Sequence, residues 1–115
     1  MRFLLVHRVD ESLPDAYSPS PEVIAGVGRM MGEMTKAGVL LAAEGVLPSA
    51  TGARVRTSGG KRTVIDGPFT EAKEVIGGFA LLQVRSKDEA IEWAGRFSEV
   101  IGDVEVEVRQ VAEQP

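Results

Sequence analysis

Cysteine is missing altogether from this chain of 115 residues. Disulfides, thiolate metal sites and a cysteine nucleophile are thereby excluded, and a cytoplasmic setting is the expectation. Histidine occurs once, at His7, so one chain holds no multi-histidine metal site. No apolar run approaches the ~20 residues that span a bilayer, so no membrane partner is expected. The apolar stretch near the start, Phe3 to Val6, is too short for the core of a signal peptide. Basic residues are outnumbered, 13 against 17, and a net charge of −4 argues against a nucleic-acid partner, which needs a basic excess or a large basic face. With neither a phosphate-cradling loop nor a metal cluster in the sequence, no cofactor is implied.

What is present is an ordinary globular balance, 43% apolar and 26% charged, which suits one domain over residues 1–115 with a core of its own. Phe3 to Val6 reads as a strand ending near Arg8. Asp10 to Pro21, with three prolines, reads as a long loop. Ser20-Pro21 is a helix start, serine at the N-cap and proline at the first helical position. Val23, Val27, Met30, Met31 and Met34 then form an apolar stripe, and Gly38 is a stop. Val39 to Val46 is a second strand. Ala53 to Thr57 and Lys61 to Ile65 flank Ser58-Gly59-Gly60 as a β-hairpin. Gly78 to Arg85 is the next strand. Ser86-Lys87-Asp88-Glu89 is a capping box opening a helix that should bury Ala90, Ile91, Ala94 and Phe97. Val104 to Arg109 alternates strictly and closes the chain as a strand.

With the hairpin set aside, the order is a split β-α-β, so the expected class is α+β: a ferredoxin-like βαββαβ antiparallel sheet with an inserted β-hairpin. Both helices then cover one face. Phe3, Leu5 and His7 alternate with Leu4 and Val6, and Phe79 and Leu81 alternate with Ala80 and Leu82, so both faces of the central strands are apolar. A second copy of the chain is the simplest cover for the other face, and a homodimer packed sheet to sheet is expected.

Several residues read two ways. Asp66 ends an apolar strand, where a partly desolvated carboxylate can serve as general acid or base; it equally begins a turn, where Asp bonds its own backbone. Glu44 interrupts the apolar Val39 to Ala43 and must find a partner, a wet cavity or open water. His7 is either half of a His–Asp proton-transfer pair or a hydrogen-bonded structural histidine. Glu71, Lys73 and Glu74 form a rim for a polar ligand or a solvated linker. Arg54, Arg56, Lys61 and Arg62 make a basic hairpin that holds an anion or guards an edge. The glycines from Gly26 to Gly32 lie inside a predicted helix, which excludes a dinucleotide fingerprint and points to close helix packing.

Asp66-Gly67-Pro68-Phe69-Thr70-Glu71-Ala72-Lys73-Glu74 strongly resembles "DGPFAETKE", the signature of the DGPF branch of the YCII-related family, with only two middle positions exchanged. Lys36 to Gly45 resembles that branch's "KAGVLLAGEG". Gly52 to Arg56 and Ser58 to Arg62 resemble its basic hairpin, and Asp88 to Trp93 its second helix. The resemblance implies a ferredoxin-like fold that dimerises into an α+β barrel. It also implies a cleft in which a His–Asp pair has been proposed as the active site; Asp66 takes the aspartate's place and His7 lies near the histidine's. On this basis the first expectation is a small cofactor-independent enzyme, with a cleft lined by His7, Glu44, Asp66 and Phe69. Asp66 would act as general acid or base on a small polar or cyclic molecule, in an isomerisation or elimination. Lys73 or Arg54 would neutralise developing charge. The second expectation is a non-catalytic module that binds a small molecule or a regulatory partner.

Overall fold

The computed structural model describes residues 1–113. Four strands form one antiparallel sheet: β1 (Arg2–Val9), β2 (Leu40–Gly45), β5 (Val75–Gln83) and β6 (Val106–Gln110) lie in the order β2-β5-β1-β6. Helices α1 (Pro21–Lys36) and α2 (Lys87–Ile101) pack on one face. The arrangement is consistent with a ferredoxin-like α+β fold. Between β2 and β5 the chain makes a 3₁₀ turn (Ser49–Thr51) and a separate two-stranded sheet, β3 (Ala53–Ser58) with β4 (Lys61–Asp66).

Local chemistry sets the ends of the elements. The Ser20 hydroxyl accepts from the Val23 N–H at 3.2 Å and Pro21 occupies the first turn, so α1 starts where a proline's missing N–H costs nothing. Beyond its last turn Gly38 takes φ +74°, a conformation that favours glycine. At α2 the Ser86 hydroxyl accepts from the Glu89 N–H at 3.1 Å. The return bond of the capping box goes one residue further out than the pattern predicts, from the Arg85 N–H to Glu89 at 3.0 Å. Gly59 and Gly60 both have positive φ, as a two-residue hairpin turn between Ser58 and Lys61 requires.

Phe3 and Leu5 from β1, Met30 and Met34 from α1, Val39, Leu82 and Val84 from the sheet side, and Ala90 and Ala94 from α2 make the core. Each large member contributes about 1.5–3 kcal/mol by leaving water. Gly26 is the one glycine of the Gly26–Gly32 run that serves close packing: a Cβ there would stand 2.8 Å from Val100 on α2, whereas Gly28 and Gly32 have open space. Ile91, expected in the core, is exposed, because it follows Ala90 by about 100° of helical turn and points away from the sheet.

Two strands start two or more residues from where the sequence places them. Strand β5 begins at Val75, three residues earlier than expected, because a bulge between His7 and Arg8 lets Val75 and Ile76 pair with Val9 and Arg8. Val84 lies past its end, yet its N–H still finds the Met1 carbonyl at 2.8 Å. Strand β6 begins at Val106, two residues later than expected.

Candidate functional site

Strict alternation puts His7 on the Phe3/Leu5 side of β1, beneath the helices and near the open end of the core. There the packing is incomplete. A cavity of about 480 Å³ lies between α1, α2 and the sheet, walled by Leu5, Val27, Met31, Phe97 and Val106 with His7 among them. Pro19, at the end of the long loop, and Ile24 extend the apolar wall, and Glu44 and Gly45 border it from the end of β2.

Two neighbours hold the imidazole. On one side it lies against the backbone of Gly77 and Gly78: a Cβ at Gly77 would sit 2.9 Å from the ring's Nε2, and one at Gly78 would sit 2.8 Å from its Cε1. On the other side the Phe97 ring stands with its centroid 5.2 Å away, tilted by 46°. Among the described residues His7 makes no side-chain hydrogen bond, and burial pulls its pKa below the ordinary 6.5. At neutral pH it is an uncharged ring with one donor and one acceptor nitrogen. In sequence Gly78 reads only as the opening of a strand; the structure shows that Gly77 and Gly78 together clear a slot for the ring. The absence of a side chain at both residues facing a lone histidine was the available signal.

The Asp66-Gly67-Pro68-Phe69 motif lies elsewhere, at the base of the hairpin. Asp66 pairs with Ala53 as the last residue of β4; it is exposed, and its carboxylate accepts no hydrogen bond among the described residues. The next three residues grip the 3₁₀ turn. The Gly67 N–H donates to the Gly52 carbonyl at 2.9 Å. The Gly67 Cα presses so closely on the Ser49 carbonyl that no Cβ fits. The Gly67–Pro68 peptide is cis. The Phe69 N–H donates to the Ser49 hydroxyl oxygen at 2.9 Å, and the Arg54 guanidinium stacks 3.9 Å above the Phe69 ring.

Ser49 is the buried polar residue among the described residues, and its hydroxyl and N–H are both bonded. Its hydroxyl donates to Glu11 at 2.6 Å, its backbone N–H donates to the other oxygen of the same carboxylate, and the Tyr17 hydroxyl donates to Glu11 at 3.2 Å. The Ser49 hydroxyl, then its N–H, hold the Glu11 carboxyl below the ordinary carboxylate range. Neither Glu11 nor Ser49 stood out in the sequence. They are 38 residues apart, and no local pattern joins them.

The expected site residues thus divide. His7 and Glu44 border the same cavity. Glu44 is exposed and pairs across the sheet with Phe79. Arg54 and Phe69 touch one another at the hairpin base. Lys73 is exposed; its charge acts on Asp10, whose carboxyl is held down first by the Ser12 hydroxyl. Asp66 and Phe69 do not line the cavity that holds His7. Among the described residues there is no group of three histidines or carboxylates placed to hold a metal ion, and no helix is long and apolar enough to cross a membrane.

Comparison with known proteins adds a family. The model of the YCII-related domain matches residues 1–113. An uncharacterised protein of Rhizobium meliloti (strain 1021), R00369, is 34% identical over 91 residues, which cover 77% of this chain and 73% of that protein.

Proposed function

The chain belongs to the YCII-related family, and we propose that it is a small enzyme of that family which moves a proton on a small cyclic molecule without a cofactor. The observation that carries this reading is the place of His7: half-buried at the wall of a roomy cavity, its pKa lowered by burial so that the uncharged ring is favoured, with neither nitrogen hydrogen-bonded among the described residues. Such a ring accepts a proton from a carbon or oxygen acid and returns it at another position, the elementary step of an isomerisation or an elimination. The Gly77–Gly78 slot and the Phe97 ring fix its direction before the ligand arrives, which lowers the cost of reaching a reactive geometry.

The working form in this proposal is a homodimer joined through the sheet face opposite the helices. Leu4, Val6, Phe79 and Leu81 lie on that face, and Phe79 is exposed, as is Leu41 on the neighbouring strand β2. The molecule is 18 Å in its thinnest dimension, and the four-stranded sheet carries its one layer of helices on the other side, so among the described residues no helix covers this apolar face. Asp66 joins the chemistry in this reading only if assembly carries the hairpin base toward a cavity mouth.

A second reading is favoured by one observation. His7 lacks a carboxylate to orient it, since Asp66 is outside the cavity wall and Glu44 makes no bond to the ring. On that reading the cavity binds a small molecule and does no chemistry. Deuterium exchange separates the two. The protein is incubated in D₂O with a panel of small cyclic ketones, enols and lactones, and exchange at carbon is followed by NMR. The enzyme reading expects catalysed exchange in a panel member, lost in His7→Asn. Ligands that shift the His7 resonance but never exchange would leave the binding module.

A further inference from the structure

The cavity wall is unusual in its charge. The basic residues of the hairpin, Arg54, Arg56, Lys61 and Arg62, contribute nothing to it, and neither does any other lysine or arginine. The one charged residue on its border is Glu44, which pairs with Phe79 and so turns its carboxylate to the opposite face of the sheet, presenting its backbone carbonyl beside Gly78. The ring at its floor is the neutral form of histidine. The remaining wall is aliphatic, aromatic or thioether, and Met30, Met31 and Met34 supply side chains that adapt to irregular shapes.

Resting on the reading of this cavity as the ligand site, we infer that it takes an uncharged, mainly apolar molecule, with an aromatic or branched body and one hydrogen-bonding group set against His7, and that it rejects organic anions. An anionic ligand would give up its hydration in a low-dielectric space with no cation on the wall to meet it. A neutral ligand loses little polar hydration, and its one donor or acceptor finds a complementary nitrogen, because neutral imidazole offers one of each. A space of about 480 Å³ is within the range of small-molecule sites, which run from roughly 300 to 1,000 Å³, and accommodates a body of two or three fused or linked rings. The exposed Ile24 and Pro19 beside the opening continue the apolar surface outward, so a ligand meets no charged rim on the α1 side.

A matched pair of dyes tests the inference. N-phenylnaphthylamine is neutral; anilinonaphthalene sulfonate has the same ring skeleton with a sulfonate added. Both are titrated against the full chain by fluorescence, while the single His7 ring signal is followed by NMR to report the site. The expected result is saturable binding of the neutral dye that shifts the His7 signal, with at least tenfold weaker binding of the sulfonate. Val27→Trp, which fills the cavity from α1, should weaken the neutral dye at least tenfold; Met31→Phe fills it by a smaller change should the first variant fold poorly. Equal or tighter binding of the sulfonate at the His7 site overturns the inference, and so does neutral-dye binding that leaves the His7 signal unmoved. Failure of the proton-transfer reading looks different. There the dye preference holds, and His7→Asn still binds dye, while no panel compound exchanges deuterium.

Discussion

The Cα of Gly67 lies against the carbonyl of Ser49 with no space for a side chain between them. This contact gives the string Asp-Gly-Pro-Phe a mechanical meaning. Its glycine closes on the 3₁₀ turn, its phenylalanine N–H bonds the Ser49 hydroxyl, and the serine passes the connection on to Glu11 in the long loop. Three segments far apart in sequence are tied at one buried hydroxyl, and the aspartate that opens the motif is outside the knot.

Gly67→Ala should therefore be costly and Asp66→Asn cheap. An added methyl meets backbone, which cannot swing aside, and overpacking of this kind costs about 1–3 kcal/mol or more. Asp66 is exposed and unbonded, so its change to Asn should alter stability by under ~0.5 kcal/mol. Urea unfolding monitored by circular dichroism reads both. A large loss in Asp66→Asn would mean that the carboxylate holds its own turn after all.

Ser49→Ala should destabilise the fold by about 1–3 kcal/mol, because it strips a partner from both the Phe69 N–H and the Glu11 carboxylate. The same bonds make stability depend on acid. Glu11's carboxyl is held below its ordinary 4.5 in the folded chain, first by the Ser49 hydroxyl and then by its N–H. The folded state thus releases the proton more readily than the unfolded one. The stabilisation is present in full above 4.5 and disappears as the pH falls through the depressed folded value. In Glu11→Gln this part of the acid dependence should be absent, so wild type and variant converge in urea midpoint as the pH drops. Parallel curves for the two proteins would remove Glu11 from the account.

His7 contributes with the same sign in a higher window. Burial lowers its pKa, so between the folded value and 6.5 the unfolded chain holds a proton that the folded chain lacks. Stability contributed by the neutral ring is complete above 6.5, falls as the pH drops below it, and levels off once the folded ring is also protonated. Because the chain has one histidine, its titration by NMR is unambiguous. A midpoint below 6.5 is expected in the native protein. Gly78→Ala drives a methyl into both the ring and the Glu44 carbonyl, each within 3 Å, and should shift that signal as it lowers stability. A midpoint at or above 6.5 would mean the ring is better hydrated or better partnered than the cavity geometry implies.

Much of this architecture could be read from short-range pattern. Serine caps marked both helices, a proline marked the start of the first, alternation put His7 on the same face as Phe3 and Leu5, and two glycines marked the hairpin turn. These signals are local: each depends on residues within one turn or one pleat. The candidate site was harder because its parts are joined across distance. Glu11 and Ser49 meet over 38 residues, and the Gly77–Gly78 slot has meaning only once β5 lies beside β1. Asp66 drew attention through its motif, but the structural contacts of that motif are made by the residues after it. A bulge at His7/Arg8 moved the start of β5, and nothing in the local alternation of either strand announces a bulge.

A homodimer joined sheet to sheet would bury the side of the sheet that the helices leave bare. Val6 lies there in the middle of β1, paired with Phe79 on one neighbour and Glu107 on the other. A central position on a buried apolar interface tolerates no uncompensated charge, because the carboxylate must be dehydrated on association and has no partner. In a single subunit the same position faces water. Val6→Asp should then leave the monomer folded, with unchanged helix content, yet shift the mass by light scattering from twice that of one chain to that of one chain. Glu107 on the same face is already engaged by Arg8 at 3.2 Å and Arg109 at 3.1 Å, so its change to Gln should disturb association far less. A wild-type protein that stays monomeric at high concentration, or a Val6→Asp variant that still pairs, would place the interface elsewhere and leave the bare face without its proposed cover.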